Sequence, residues 1–266
     1  MTELYHDATH LNDDLMTARD DRSVRPAPRQ SVERTIAGDY QLDALLRGRA
    51  FQRAWHRARL DLVELLLPPA TGSLVLDAAA GSGIITWKFR PHRIVSTDMR
   101  LSACRAVRAH TPDAQTAAAD LTALPFRSAS FSQIYFLEAL EHLTAEQGRR
   151  TLAELRRVAS PGARCLITTP NYHSHWVLME RVIDALRLTP PMADAQHVSR
   201  YDSGTLAKIA EAAGWRINRL GSFNLFAPLV GIVSTRAAAW TVGLEAGRAG
   251  NTGALLYALC ERDAVI

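Results

Sequence analysis

The segment Asp77-Ala78-Ala79-Ala80-Gly81-Ser82-Gly83 follows a short apolar run, Leu74-Val75-Leu76, and leads into a helical pattern from Ile84 to Phe89. A strand that passes into a helix through small residues presents backbone N–H groups at the carboxyl edge of a sheet, where open α/β sheets hold their ligands. Glycine matters in such a loop because a Cβ would hold the backbone away from a nucleotide or force an unfavourable φ. Asp98 ends the next apolar run roughly 20 residues further on, the spacing at which a carboxylate accepts both hydroxyls of a ribose. Asp120 ends a third run and suits an adenine amino group, with Met99 and Leu121 placed to sandwich the ring. One loop and two further acids therefore outline an adenosine.

Other readings of these residues are less well supported. A nicotinamide fingerprint starting at Gly81 needs glycine at position 86, which is Thr86, and gives no role to an acid at Asp77. Asp98 and Asp120 as ordinary surface carboxylates at strand ends would leave their spacing unexplained.

These residues need a scaffold, and the flanking sequence supplies one. Short apolar runs alternate with helical patterns, the rhythm of βαβ units and of a parallel sheet covered by helices. Strands are expected at Leu74 to Asp77, Arg93 to Asp98, Gln115 to Ala119, Gln133 to Leu137, Arg164 to Thr169, Arg216 to Leu220 and Ala254 to Cys260, the last one antiparallel. A helix from Leu45 to Leu67, stopped by Pro68-Pro69, leads into the sheet, and its arginines between Arg47 and Arg59 read as a solvated face. Thr144 with Gln147 forms a capping box for a helix that Pro161-Gly162 should close, and Asp202 or Ser203 caps a helix ended by Gly214.

With 266 residues and 47% hydrophobic content, the chain suits one large domain rather than two equal ones. Residues 1–35, polar and broken by Pro26 and Pro28, read as a flexible arm or lid, and 36–266 as the folded domain. A net charge of +4 is too small to indicate a nucleic-acid partner. Cys104, Cys165 and Cys260 are far apart, so neither a disulfide framework nor a zinc site is expected, and no metal is assigned. The absence of an apolar leader in the first thirty residues favours a cytoplasmic location. Leu225 to Leu244 is apolar but interrupted by Arg236. A packed helical hairpin or a homodimer face is favoured for it, with peripheral membrane contact through 225–244 as the alternative, and Trp55, Trp176 and Trp240 are expected to pack in the core or under a lid.

Taken together, the motifs resemble the class I S-adenosylmethionine-dependent methyltransferases, in the branch holding quinone-biosynthesis and small-molecule enzymes. The family pattern Asp-x-Gly-x-Gly-x-Gly stands here as Asp77-x-Ala79-x-Gly81-x-Gly83. Asp98, Ala119-Asp120, Asp120-Leu-Thr-Ala-Leu-Pro-Phe126, Phe131 to Tyr135, Glu138-Ala-Leu-Glu-His142, Ser160-Pro-Gly162 and Thr169-Pro-Asn171 extend the match over about 74–171. The menaquinone-type C-methyltransferases are similar in having alanine where Ala79 stands.

The resemblance implies a Rossmann-like doubly wound sheet, mostly parallel, with helices on both faces. It further implies that 70–171 forms the cofactor half, with substrate-side additions at 172–203 and 223–252. S-adenosylmethionine would be bound by a loop that opens with Asp77, with Ala79, Gly81 and Gly83 along its methionine part, Asp98 on the ribose, Met99, Asp120 and Leu121 around the adenine, and the backbone at Leu137 facing the sulfonium, and S-adenosylhomocysteine would be the product. The expected reaction is methyl transfer to an oxygen or carbon of a hydrophobic small molecule that is aromatic, quinone-like or isoprenoid. The alternative is a regulatory or scaffold protein that binds the cofactor without turning it over. His142 is the first candidate for a base, since an imidazole takes a phenol or enol proton at neutral pH. Tyr172, His173, His175, His197 and Tyr201 are candidates for the acceptor side, against solvated or structural roles.

Overall fold

The computed structural model describes residues 40–90, 92–174, 197–248 and 251–264. The arm at 1–35, His175 and Trp176 lie outside the described residues.

The chain runs through α1 (Tyr40–Arg47), α2 (Ala50–Leu66), β1 (Leu74–Ala78), α3 (Ile84–Lys88), β2 (Arg93–Asp98), α4 (Leu101–His110), β3 (Gln115–Ala118) and β4 (Phe131–Leu137). A 3-10 turn (Leu140–His142), α5 (Ala145–Val158), β5 (Ala159–Pro170), α6 (Ser203–Ala212), β6 (Arg216–Phe223), α7 (Ala227–Val230), α8 (Thr235–Gly247) and β7 (Leu255–Glu261) follow. The described strands form one sheet of order β3-β2-β1-β4-β5-β7-β6. Strands β1 to β5 pair in parallel, and β7 runs antiparallel between β5 and β6.

Side-chain alternation along the strands builds two cores. Leu76, Ile134, Phe136, Cys165 and Ile167 point to the face covered by α5 and α6, where Leu152, Leu155 and Leu206 are fully buried. Val75, Tyr135, Leu166 and Tyr257 point to the other face, against Leu60, Leu62 and Val63 of α2 and Val242 of α8. A period of two in the strands thus puts helices on both faces. The chain steps outward from β1 to β3, then returns to β4 on the other side of β1, so a crevice opens between the carboxyl ends of β1 and β4.

Local signals set several boundaries as expected. Thr144 accepts from the Gln147 amide while Gln147 bonds back to Thr144, and Asp202 does the same with Thr205. Gly214 takes a left-handed φ of 84° after α6. Two boundaries differ. The helix expected from Leu45 to Leu67 is two helices that break at Gly48, where a Cβ would stand 2.3 Å from the Ala44 carbonyl oxygen. Helix α5 ends at Val158 and the chain enters β5 directly, so Pro161-Gly162 belongs to an irregular strand start instead of a cap.

The apolar stretch after β6 is the helical hairpin α7–α8, packed on α2 so closely that a Cβ on Gly231 would meet the Ala54 methyl at 2.5 Å. Leu225 and Phe226 donate their amides to the Glu245 carboxylate at 3.1 and 2.7 Å, which ties the start of the hairpin to its end. Its outer side leaves Phe226, Leu229, Ile232, Val233 and Trp240 exposed, so Trp240 is a surface residue rather than a core one. Among the described residues no helix is long and apolar enough to cross a membrane.

Candidate functional site

The glycine loop follows β1 at the crevice. Ala80 N donates to the Thr97 carbonyl at 2.8 Å, tying the loop to β2. Ala79, Gly81 and Gly83 take φ values of 58°, 54° and 73°. At Gly83 a Cβ would strike Val107 of α4 at 2.7 Å, so glycine there serves both the left-handed turn and the packing of the following helix. Ala79 holds its left-handed conformation with a Cβ, which costs roughly 1–2 kcal/mol for an L-residue. Ala79→Gly should therefore raise stability by up to about 1 kcal/mol after the added chain entropy, seen as a thermal midpoint about 2–4 °C higher. An unchanged or lower midpoint would show that the turn is unstrained.

Of the three expected acids, Asp77 lies in β1, Asp98 ends β2 and Asp120 follows the end of β3 by two residues. Asp77 is buried in β1 between Ser96 and Tyr135, and its Oδ2 has no hydrogen-bond partner in the described structure. Burial, reinforced by the Asp98 charge, pushes its carboxyl up to about 7. Asp98, at the end of β2, is buried; its Oδ2 accepts from Gly81 N at 3.0 Å and its Oδ1 from Arg100 N at 2.9 Å and Arg100 Nε at 3.2 Å. A carboxylate has about four acceptor positions, so it can take hydroxyl donors beside these amides. Asp120 is exposed, and its Oδ1 accepts from Thr122 N and Oγ1, both at 2.8 Å. Met99 is 73% exposed on the open side while Leu121 is buried, so one of the two expected ring contacts is open and the other is part of the wall.

The opposite wall comes from residues that pattern reading did not single out. Gln41 of α1 and His56 and Arg59 of α2 line the crevice with Asp77, Ala79 and Leu137. Arg59 is only 8% exposed, so the solvated-face reading fails for it. It lies on the buried side of α2, where its guanidinium bonds to His56 Nδ1. Desolvation lowers the pKa of Arg59, while the charges of Glu138 and Glu141 counter the effect. Burial and the Arg59 charge hold His56 well below the ordinary imidazole value.

Glu138 and Glu141 leave the end of β4. Glu138 takes φ 50°, its amide donates to the Thr168 carbonyl at 3.0 Å, and its Oε1 is a buried atom with no hydrogen-bond partner. Burial raises its carboxyl and Arg59 opposes the rise; in Glu141, burial and the neighbouring Glu138 charge both act upward. The half-buried Glu138, the buried Glu141 and the buried Arg59 therefore act on one another electrostatically beside the crevice.

Beyond them, His142 ends the 3-10 turn with its ring centroid 5.1 Å from that of His197. Tyr172 Oη bonds to His197 Nδ1. Tyr172, His197 and His142 are thus brought together. His173 stands apart: its ring is largely exposed, with Nδ1 3.6 Å from the Asp202 carboxylate. Tyr201 is buried in the core cluster with Leu206, and its carbonyl accepts from the Tyr172 amide at 3.2 Å.

Residues 76–167 match the family model of a methyltransferase domain. A demethylmenaquinone methyltransferase of Renibacterium salmoninarum is 30% identical over 117 residues, which cover 43% of this chain and 47% of that protein. The match therefore spans about half the length of that relative. A ubiquinone/menaquinone biosynthesis C-methyltransferase of Ralstonia pickettii is 26% identical over 225 residues, covering 76% of this chain and 88% of the relative. Among solved structures, an S-adenosylmethionine-dependent methyltransferase of Thermotoga maritima shares the fold with a TM-score of 0.60 at 14% identity, covering 80% of this chain and 92% of that one.

Proposed function

We propose that this chain, whose residues 76–167 match a methyltransferase domain, transfers a methyl group from S-adenosylmethionine to an oxygen or carbon of a hydrophobic small molecule. The observation that carries the reading is the buried, unpartnered Asp77 oxygen beside a glycine loop and a second acid, Asp98. A buried carboxyl oxygen without a partner is costly, and a bound ammonium group would satisfy it.

The residues present fit that cofactor. Asp77 would hold the ammonium of the methionine part, with Ala79, Gly81 and Gly83 letting the backbone approach it. Asp98 would take the ribose hydroxyls, and Met99, Asp120 and Leu121 would frame the adenine. Arg59, on the same wall as Asp77, suits the methionine carboxylate. When bound, the group supplies an electrophilic methyl on sulfur. The chain's own task is then to orient donor and acceptor in line and keep water away. The Leu137 backbone faces the reacting side, and His142, with Tyr172 and His197, serves the acceptor and the proton it releases.

The quinone-related names of the two relatives and the apolar ridge of Phe226, Leu229, Val233 and Trp240 support a lipid-like acceptor drawn from a membrane surface. Liposome flotation checks this part: binding should fall when Val233 and Trp240 are both changed to serine, and unchanged flotation would remove the membrane from the account. The methyl-transfer reading is tested by turnover. Labelled S-adenosylmethionine incubated with quinone, phenol and isoprenoid acceptors should give S-adenosylhomocysteine, several-fold slower for His142→Ala with cofactor affinity retained. Tight cofactor binding with no turnover on any acceptor class or cell extract would favour a non-catalytic binding protein.

A further inference from the structure

Glu141, His142 and His197 each offer a ligand atom, and these atoms all lie within 4.8 Å of one another. The grouping is held from several directions. The Glu141 carbonyl accepts from Val198 N at 2.8 Å and Ser199 N at 3.0 Å, and Ser199 Oγ donates to the Leu143 carbonyl at 2.6 Å. The segment that carries His197 is therefore fastened to the turn that carries Glu141 and His142.

Glu141 and His197 are each held by a hydrogen bond to a neighbouring side chain. Thr169 Oγ1 donates to Glu141 Oε2 at 3.1 Å, while Glu141 Oε1 stands 3.9 Å from His142 Nε2. The bond between Tyr172 Oη and His197 Nδ1 selects Nε2 of that ring as the coordinating nitrogen. Metal-ligating histidines are commonly oriented in this manner, by a hydrogen bond from the ring's other nitrogen, and ligating carboxylates are themselves hydrogen-bonded.

The Glu141 side chain is 2% exposed, so a cation it holds would be shielded from bulk water.

We propose that Glu141, His142 and His197 form a binding site for a divalent transition-metal cation at the acceptor side of the crevice, with Tyr172 as the residue that positions His197. Two imidazoles and one carboxylate favour manganese, iron, cobalt, nickel or zinc over calcium. Bonds of about 2.1 Å place neighbouring ligand atoms about 3.0–3.5 Å apart, so small ring movements close the present spacing. Three protein ligands leave positions open for water or, on the methyl-transfer reading, for an oxygen of the acceptor, whose proton the bound cation makes easier to lose in place of uptake by His142. The site itself does not depend on that reading.

The test is calorimetric titration of the chelator-treated full chain with zinc and manganese chlorides, with calcium chloride as the control and without S-adenosylmethionine. One zinc or manganese ion per chain is expected, with affinity lowered at least tenfold in His142→Ala and in His197→Ala and about tenfold in Tyr172→Phe. Circular dichroism and the melting temperature of the metal-free variants establish that each is folded, whatever the fate of the cofactor reading. No saturable binding by wild type, or binding that survives both histidine substitutions, would overturn the proposal. A tyrosine variant that binds as tightly as wild type would remove Tyr172 from it.

Discussion

Asp77→Asn is expected to melt higher than wild type above pH 7 and to lose most of its affinity for S-adenosylmethionine. The Asp77 carboxyl is buried, has an oxygen with no partner, and is pushed up to about 7 from an ordinary value of 3.8. The folded chain therefore keeps a proton on this group that the unfolded chain has already released, and stability falls as pH rises from about 4 to about 7. A displacement of that size corresponds to roughly 4 kcal/mol once the folded carboxyl is fully charged. Asparagine avoids the charge but remains a buried amide, so a gain of about 2 kcal/mol, or about 4–8 °C, is expected at pH 8 and almost none at pH 4. Binding moves the other way. Loss of the carboxylate opposite an ammonium should weaken the cofactor at least tenfold, and wild-type affinity should rise as pH passes through 7. A stability difference that ignores pH would contradict the burial of a titrating carboxyl, and full affinity in the variant would contradict its place in the site.

Arg59→Met should be among the most destabilising changes that leave the hydrophobic cores intact. The guanidinium is buried against His56, and the Glu138 and Glu141 charges both act on it. Methionine can fill much of the volume but leaves the two carboxylates without their cation. Leaving these carboxylates without the cation that acts on them, and His56 without its hydrogen bond, costs about 1–3 kcal/mol, which for a chain of this size is a fall of about 3–10 °C. Adding Glu138→Gln should recover part of the loss, because one of the unpaired charges goes with it. The deficit should also shrink in mild acid, since burial raises both carboxyls and protonation removes their need for a partner. Chemical denaturation of the single and double variants at pH 5 and pH 8 checks all three statements. A single variant within 0.5 kcal/mol of wild type would mean that the group is solvated rather than sealed.

What could be read from the sequence divides along the range of the interactions. The strand runs around Val75, Ile94, Ile134 and Ile167, the capping boxes at Thr144 and Asp202, and the glycine loop are local patterns, and the structure has all of them. The positions of Asp77 and Asp98 at consecutive strand ends were legible from the apolar runs before them, and the structure adds the bond from Gly81 N to Asp98. Arg59 was not legible. An arginine on an amphipathic helix reads as solvated, and only the placement of α2 against the ends of β1 and β4 buries it. Glu138 and Glu141 stood in the sequence as part of a family resemblance, whereas their burial depends on β5 and on the return of the chain at 197–199. The break at Gly48 had a local signal in the glycine itself, but the apolar periodicity carries across it and hides the turn.

The central claim is that the crevice binds S-adenosylmethionine through Asp98 and the loop it supports. Isothermal titration with S-adenosylmethionine and S-adenosylhomocysteine, with NAD and NADP as controls, tests it on wild type and on Asp98→Ala. The account predicts saturable binding of both adenosyl compounds by wild type, a loss of about 1–3 kcal/mol, roughly 5- to 150-fold, in the variant, and no binding of either dinucleotide. Binding of a dinucleotide instead, or adenosyl binding that is indifferent to Asp98→Ala, would contradict it.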